Sequence, residues 1–184
     1  FLRTTERVLL KVGEVKAETF DELFEKTKAL PWENYIPKNG KFWVAKANSI
    51  KSKLFSPSDI QSIMKKAIVE RLRGRYRTDW FVEDAETVSI DVALHGDVAQ
   101  LTLDASGTAL NRRGYRTWNG EAPLRETLAA ALILTSGWHP WQPLYDPCCG
   151  TGTLLIEAAM RAVNRPAGIR RGFACEKYPF LDQA

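Results

Sequence analysis

Apolar and polar positions change their period along this chain, and each change marks an element. Residues 7–17 (RVLLKVGEVKA) mix the two classes as a strand does. Thr19-Phe-Asp-Glu22 has the T-x-x-E spacing of a capping box and predicts a helix with Phe20, Leu23, Phe24 and Leu30 on one face. Trp32 with its flanking prolines predicts a loop, and Phe42 to Ala47 a short strand. Ser56-Pro57 reads as an N-cap with proline in the first turn. The helix it opens carries Ile60, Ile63, Met64, Ala67, Ile68 and Leu72 at helical spacing, with Gly74 as a fitting stop. That stripe predicts core, and Lys65, Lys66 and Arg73 lie opposite it. Thr87 to Leu94 and Val98 to Asp104 are two strands, joined through a tight turn at His95-Gly96-Asp97 as a hairpin.

The second half has a different texture. Residues 106–122 are rich in Gly and Arg and poor in aliphatics, so they read as a connector. A helix is expected from Pro123 to near Gly137, apolar on more than one side and so largely buried. Trp138 to Tyr145 is expected to enter a strand that ends at Asp146, and a further helix runs from Leu154 to Val163. No internal repeat is visible.

Composition is that of a soluble globular protein, 45% hydrophobic and 26% charged. No apolar run approaches the roughly 18 residues of a membrane helix, and no signal peptide is visible, although the chain starts at Phe1 rather than Met. Three cysteines, two of them adjacent at Cys148 and Cys149, fit neither a disulfide framework nor a zinc spacing. Reduced thiols and a cytoplasmic location are expected, and no metal site is supported. The net charge of +4 is unevenly spread: Lys41 to Arg77 holds ten Lys/Arg against Asp59 and Glu70. A local excess of that size suggests a polyanion partner.

The chemistry concentrates in Asp146-Pro-Cys-Cys-Gly150-Thr151-Gly152-Thr153, read as strand, acid, glycine-rich turn, helix. Gly150 and Gly152 allow a tight turn and close backbone approach. The helix start offers unpaired N–H groups and a positive dipole end, which suit a small carboxylate. A P-loop would need a Lys that is missing here. A dinucleotide fingerprint would need glycine where Leu155 stands. Asp146 would repel a pyrophosphate and attract a methionine ammonium, which favours S-adenosyl-L-methionine over NAD.

These residues carry a resemblance. The chain resembles the THUMP-domain methyltransferases, specifically the bacterial 23S ribosomal RNA guanine-N2 methyltransferase L family, often labelled N6-adenine-specific DNA methylases. Residues 1–10 resemble the end of that family's ferredoxin-like N-terminal region. Phe42 to Leu72 resembles the THUMP core, with Lys51-Ser-Lys53 and Lys65-Lys-Ala-Ile-Val-Glu-Arg-Leu. Asp104-Ala-Ser-Gly, Arg113-Gly-Tyr-Arg116 and Ala122-Pro-Leu-Arg-Glu-Thr-Leu resemble the entry to the methylase. Asp146 to Thr153 resembles the cofactor motif, and Phe173-Ala-Cys-Glu-Lys177 a segment after it. The family commonly has Ser at Thr151 and a bulkier apolar residue at Cys148.

The resemblance implies an α/β chain in which a THUMP-like RNA-binding module precedes the beginning of a Rossmann-like methyltransferase domain. The implied divisions are 1–39 (end of the ferredoxin-like region and connector), 40–107 (THUMP-like module) and 108–184 (incomplete methyltransferase domain). The implied activity is S-adenosyl-L-methionine-dependent methylation of a guanine N2 in 23S rRNA, a step of rRNA processing. An N6-adenine methylase and a purely RNA-binding module are the alternatives. The family's Asn-Pro-Pro-Tyr-type motif is absent; only Asp146-Pro147 and Tyr178-Pro179 come near it. The catalytic residues are therefore expected beyond Ala184, and the chain alone is expected not to catalyse.

The cofactor candidates are Asp146, Gly150, Thr151 and Gly152, with Pro123, Leu124 and Thr127 lining the same pocket in the family pattern. The RNA candidates are Lys46, Lys51, Lys53, Lys65 and Lys66, which would position a backbone without reading sequence. Arg112, Arg113 and Arg116 join them, interleaved with Tyr115 and Trp118. The competing structural role for these arginines is pairing with Glu121 or Glu126. His139 reads as a packing residue.

Overall fold

In a computed structural model, residues 2–78, 81–82, 87–118, 120, 122–178 and 180–181 are described. The chain divides into two compact units: residues 9–107 with 174–184, and residues 1–8 with 108–173. Phe1, Glu121, Pro179 and Ala184 lie outside the described residues.

The first unit is a four-stranded sheet with helices. Its elements are β1 (Leu9–Lys16), α1 (Phe20–Ala29), β2 (Lys41–Ile50), α2 (Pro57–Tyr76), β3 (Thr87–His95) and β4 (Val98–Asp104). The strand order is β1-β4-β3-β2. β4 pairs antiparallel with both neighbours, whereas β2 and β3 are parallel, with α2 as the crossover that parallel pairing requires. Residues 9–39, expected from the sequence to precede the module, are part of this unit: β1 pairs with β4 from Leu9↔Asp104 to Lys16↔Val98. That pairing spans most of the unit's sequence, so no local pattern announces it.

The caps form as the sequence dictates. Thr19 Oγ1 accepts the Glu22 N–H at 3.2 Å, and the Glu22 carboxylate accepts the Glu18 N–H at 2.8 Å. Ser56 Oγ accepts the Asp59 N–H at 3.4 Å. The expected stop at Gly74 is overrun: α2 continues to Tyr76 and ends with Arg77 in the left-handed region at φ 50°. Tertiary contacts hold this last turn. Tyr76 donates its O–H to the Ile36 carbonyl at 2.7 Å, and Arg71 grips Glu33 through two hydrogen bonds of 2.9 and 2.7 Å. In β3, Val88, Ile90, Val92 and Leu94 are buried at every second position, the period of one sheet face. In β2 the register shifts between Val44 and Lys46, so Val44 and Ala47 are both buried despite their odd spacing. The hairpin turn is tighter than expected. His95 pairs with Val98 as the last residue of β3, and Gly96 and Asp97 alone turn the chain, with φ of 57° and 63°.

The second unit contains α3 (Glu126–Thr135) and α4 (Thr153–Ala162) packed together. α3 starts at Glu126 with Arg125 as its N-cap, three residues later than the sequence suggests. Its predicted burial is only partial. Ala129, Ala130 and Ile133 are buried, but Leu128, Leu132 and Leu134 are about half exposed. Residues 138–145 form no strand, contrary to expectation. A strand needs a hydrogen-bonded neighbour, and all four described strands belong to the other unit.

Candidate functional site

The glycine turn is built from its own backbone. Asp146 Oδ1 accepts the Cys148 N–H at 3.1 Å, and the Cys149 carbonyl accepts the Gly152 N–H at 2.7 Å. Gly150 and Gly152 hold φ of 51° and 73°, which disfavours any residue with a Cβ. A Cβ built on either would meet nothing within 4 Å, so the glycines are required for conformation, and the space beside them is open. Gly152 is the N-cap of α4. No side chain caps this helix start and no acid lies in its first turn, so its N–H groups keep their positive end unneutralised.

Beside the turn is a cleft of about 400 Å³. One wall is Ala122-Pro123-Leu124; the other comprises Asp146, Cys148 to Thr151, Thr153 and Leu154, with Trp118 and Gly120 at the margin. Five of the seven sequence candidates (Asp146, Gly150, Thr151, Pro123 and Leu124) thus line one cavity. Gly152 sets the turn but does not line it. Thr127 is buried and donates its hydroxyl to the Glu6 carboxylate, so it is a packing residue of α3.

Of what fastens the two walls, the sequence offered only the pairing with Glu126, and it missed the rest. Arg116 Nε donates to Glu126 at 2.9 Å, Nη2 to the Leu124 carbonyl and to Thr153 Oγ1 at 3.0 Å each, and Nη1 to Thr151 Oγ1 at 3.4 Å. One guanidinium therefore joins the 122–124 wall to the glycine turn, a task that suits arginine's rigid fork. The second threonine of Gly-Thr-Gly-Thr was the available signal for Thr153, which is buried on this arginine.

The side chains of Arg113 and Arg116, both expected from the sequence to grip RNA, are engaged within the protein. Arg113 is buried, donating to Glu157 at 3.4 Å, to the Leu110 carbonyl at 2.9 Å and to the Arg3 carbonyl. Tyr115 donates to the same Glu157 oxygen at 3.1 Å; burial, together with the Glu157 charge, pushes its phenol above the ordinary range. Hydrogen-bonding capacity spent on buried partners is not available to a polyanion. Arg116 realises the alternative pairing with Glu126. Arg112, by contrast, is exposed.

The lysine candidates all lie exposed on the sheet unit. Lys46 is on the edge strand β2, and Lys65 and Lys66 are on α2. Lys51 and Lys53 flank Ser52, whose hydroxyl accepts the Asp97 N–H at 3.0 Å, while Asp97 accepts the Lys53 N–H at 2.7 Å. The hairpin tip thus fixes this loop. Lys53 also pairs with Glu18, which partly neutralises it and holds the Glu18 carboxyl below its usual range. Lys66 sits 5.9 Å from the Phe24 ring centroid. No described helix is long and apolar enough to cross a membrane.

A sheet-and-helix unit with a basic helix is thus joined in one chain to a unit in which a glycine turn caps a helix beside a cleft. Family comparison gives both parts: residues 17–104 match the THUMP domain, and residues 113–184 match UPF0020, the RMKL-like methyltransferase domain. The two matches together cover most of the chain. It is 47% identical over 98% of its length to "Putative RNA methyltransferase YpsC" of Bacillus subtilis, covering 47% of that protein. Among solved structures it is similar to a predicted N6-adenine-specific DNA methylase from Listeria monocytogenes, at TM-score 0.92 and 49% identity, covering 97% of this chain and 47% of that one. It is also similar to "SMU.472, a putative methyltransferase complexed with SAH", at TM-score 0.88 and 44% identity, covering 95% of this chain and 46% of that one. The chain thus spans about half the length of these relatives.

Proposed function

We propose that this chain is the RNA-gripping and cofactor-holding part of an S-adenosyl-L-methionine-dependent RNA methyltransferase. The observation that carries the reading is the cleft between Pro123-Leu124 and the glycine turn. It places the carboxylate of Asp146 and the uncapped start of α4 beside open space. Asp146 spends one oxygen on the Cys148 N–H, leaving the other for the methionine ammonium, while the α4 N–H groups face the methionine carboxylate. Thr151 and Gly150 shape the turn, and Arg116 keeps both walls in register. The cofactor supplies an electrophilic methyl group on a sulfonium. This chain's part is to bind and orient it, since positioning supplies much of the rate in such transfers.

The partner reading is RNA. The THUMP match, the basic α2 and the similarity to YpsC support it over DNA. Within RNA, we favour guanine N2 of 23S rRNA in the cytoplasm, with the module boundary near residue 108. The adenine-N6 alternative has the description of the Listeria structure in its favour.

Two measurements test this. Calorimetric titration of the chain with S-adenosylhomocysteine should show binding that Asp146→Ala weakens at least tenfold; equal binding by a folded variant would remove Asp146 from the site. Deleting the gene should abolish one N2-methylguanosine in 23S rRNA. Loss of an N6-methyladenine instead would select the adenine reading.

A further inference from the structure

A second concavity, of about 470 Å³, shares Pro123 and Leu124 with the cofactor cleft. The Pro123-Leu124 segment is therefore a ridge with the cleft on one flank and this groove on the other. Four arginines line the groove, Arg112, Arg113, Arg116 and Arg125, against one acid, Glu126. Their charges are not equivalent. Arg113 is spent on Glu157, and Arg116 on Glu126, so the acid in the groove is also taken. Arg112 and Arg125 remain exposed, and neither makes a side-chain ion pair or hydrogen bond among the described residues.

Both free arginines stand on fixed backbone. The Arg112 N–H bonds the Ala109 carbonyl at 3.0 Å, and the Arg112 carbonyl accepts from Arg171 at 3.3 Å. Arg125 is the N-cap of α3, its carbonyl accepting the Ala129 N–H at 2.9 Å. Gly114 keeps the groove's far side close-packed. It holds φ 83°, and a Cβ there would lie 2.8 Å from the Arg170 carbonyl. Two uncompensated guanidiniums in a concave wall focus a positive field and offer forked donors that match phosphate oxygens.

We infer that this groove is a phosphate-binding site for a single-stranded RNA substrate, with Arg112 and Arg125 as its ligands. The strand crosses the Pro123-Leu124 ridge, so a nucleotide adjoining the bound phosphate is presented to the cofactor cleft. This rests on the RNA methyltransferase reading. It adds Arg125, which neither the composition nor the motifs singled out, and separates Arg112 from Arg113 and Arg116, which are paired within the protein.

The test is the affinity of the full chain for a short single-stranded oligoribonucleotide over a salt series, for wild type and the double variant Arg112→Ala/Arg125→Ala. The double variant should bind about tenfold more weakly at low salt. Its log–log salt slope should be shallower by about 1.4, two phosphate contacts at ~0.7 each. Its affinity for S-adenosylhomocysteine should match wild type, which shows that the unit is folded. If Lys65→Ala/Lys66→Ala weakens RNA binding while the arginine variant leaves affinity and slope unchanged, the groove is not the phosphate site and the RNA reading stands. If the wild-type chain does not bind the oligoribonucleotide at all, both fall.

Discussion

The two units of this chain are held together by different physics. The sheet unit buries large apolar side chains completely, among them Leu23, Trp32, Ile60, Met64, Ile68, Leu72, Leu101 and Leu103. The cleft unit buries mostly small ones, Ala129, Ala130, Ala158 and Ala167 beside Leu110 and Ile133, with an equal number of polar or charged side chains. Its fasteners are guanidiniums on main-chain carbonyls. Arg3 bonds the Met160 and Arg165 carbonyls at 3.3 and 2.6 Å, Arg161 those of Ile133 and Trp138 at 3.0 and 3.2 Å, and Arg171 that of Ala109 at 2.6 Å. Apolar burial stabilises in proportion to area and tolerates small shifts. Directional bonds at buried charges define geometry and fail steeply when one partner is removed. A cleft whose walls must keep register gains from the second kind.

The sharpest way to break this contrast is Arg113→Ala. It removes the ion-pair partner of the buried Glu157 carboxylate, one of whose oxygens already has no hydrogen-bond partner. The expected loss is roughly 3–5 kcal/mol, read as faster amide exchange throughout α4 with β3 unchanged. Equal loosening of β3 would show that the units do not respond separately. The mirror experiment is Leu101→Ala. It should cost about 2–4 kcal/mol through lost burial and a residual cavity, and accelerate exchange in β3 and β4 but not α4. The smallest effect concerns the Arg71–Glu33 ion pair of the sheet unit. Arg71 holds the Glu33 carboxyl below the usual range. A depressed carboxyl contributes stability above its unfolded pKa and loses it as pH falls through the folded value. Wild type should therefore lose roughly 1–2 kcal/mol more than Arg71→Met between neutral pH and pH ~3. Parallel pH profiles in urea unfolding would remove that contribution.

Legibility followed the same division. In the sheet unit the capping box at Thr19, the Ser56-Pro57 start, the apolar stripe of α2 and the β3–β4 hairpin were all readable, because local rules set them. The pairing of β1 with β4 was not, since it depends on residues far apart in sequence. In the cleft unit the glycine turn was readable from its residue types. The Arg116 pairing with Glu126 was readable only as an alternative, and the Arg113 partner was not readable at all. An arginine in a Gly-rich stretch carries the same letter whether it faces solvent or a buried carboxylate, and Glu157 lies 44 positions from Arg113. The strand expected over residues 138–145 failed for a related reason: apolar content is local, but a strand is a relation between two segments.

The order of the units along the chain has a consequence for how the protein is made. The cleft unit takes residues 1–8 and 108–173, with the whole sheet unit's main segment between them. Arg3 therefore leaves the ribosome well before the carbonyls it binds, which belong to Met160 and Arg165. At about 5–20 residues per second, roughly 10–30 s of translation separate them. During that interval residues 9–107 can complete their sheet while the N-terminal arm waits unpaired. The cleft is then a late product of synthesis, and a ribosome that stalls inside α4 leaves the four strands of the sheet unit without the cleft and without Tyr178, which is buried in their core.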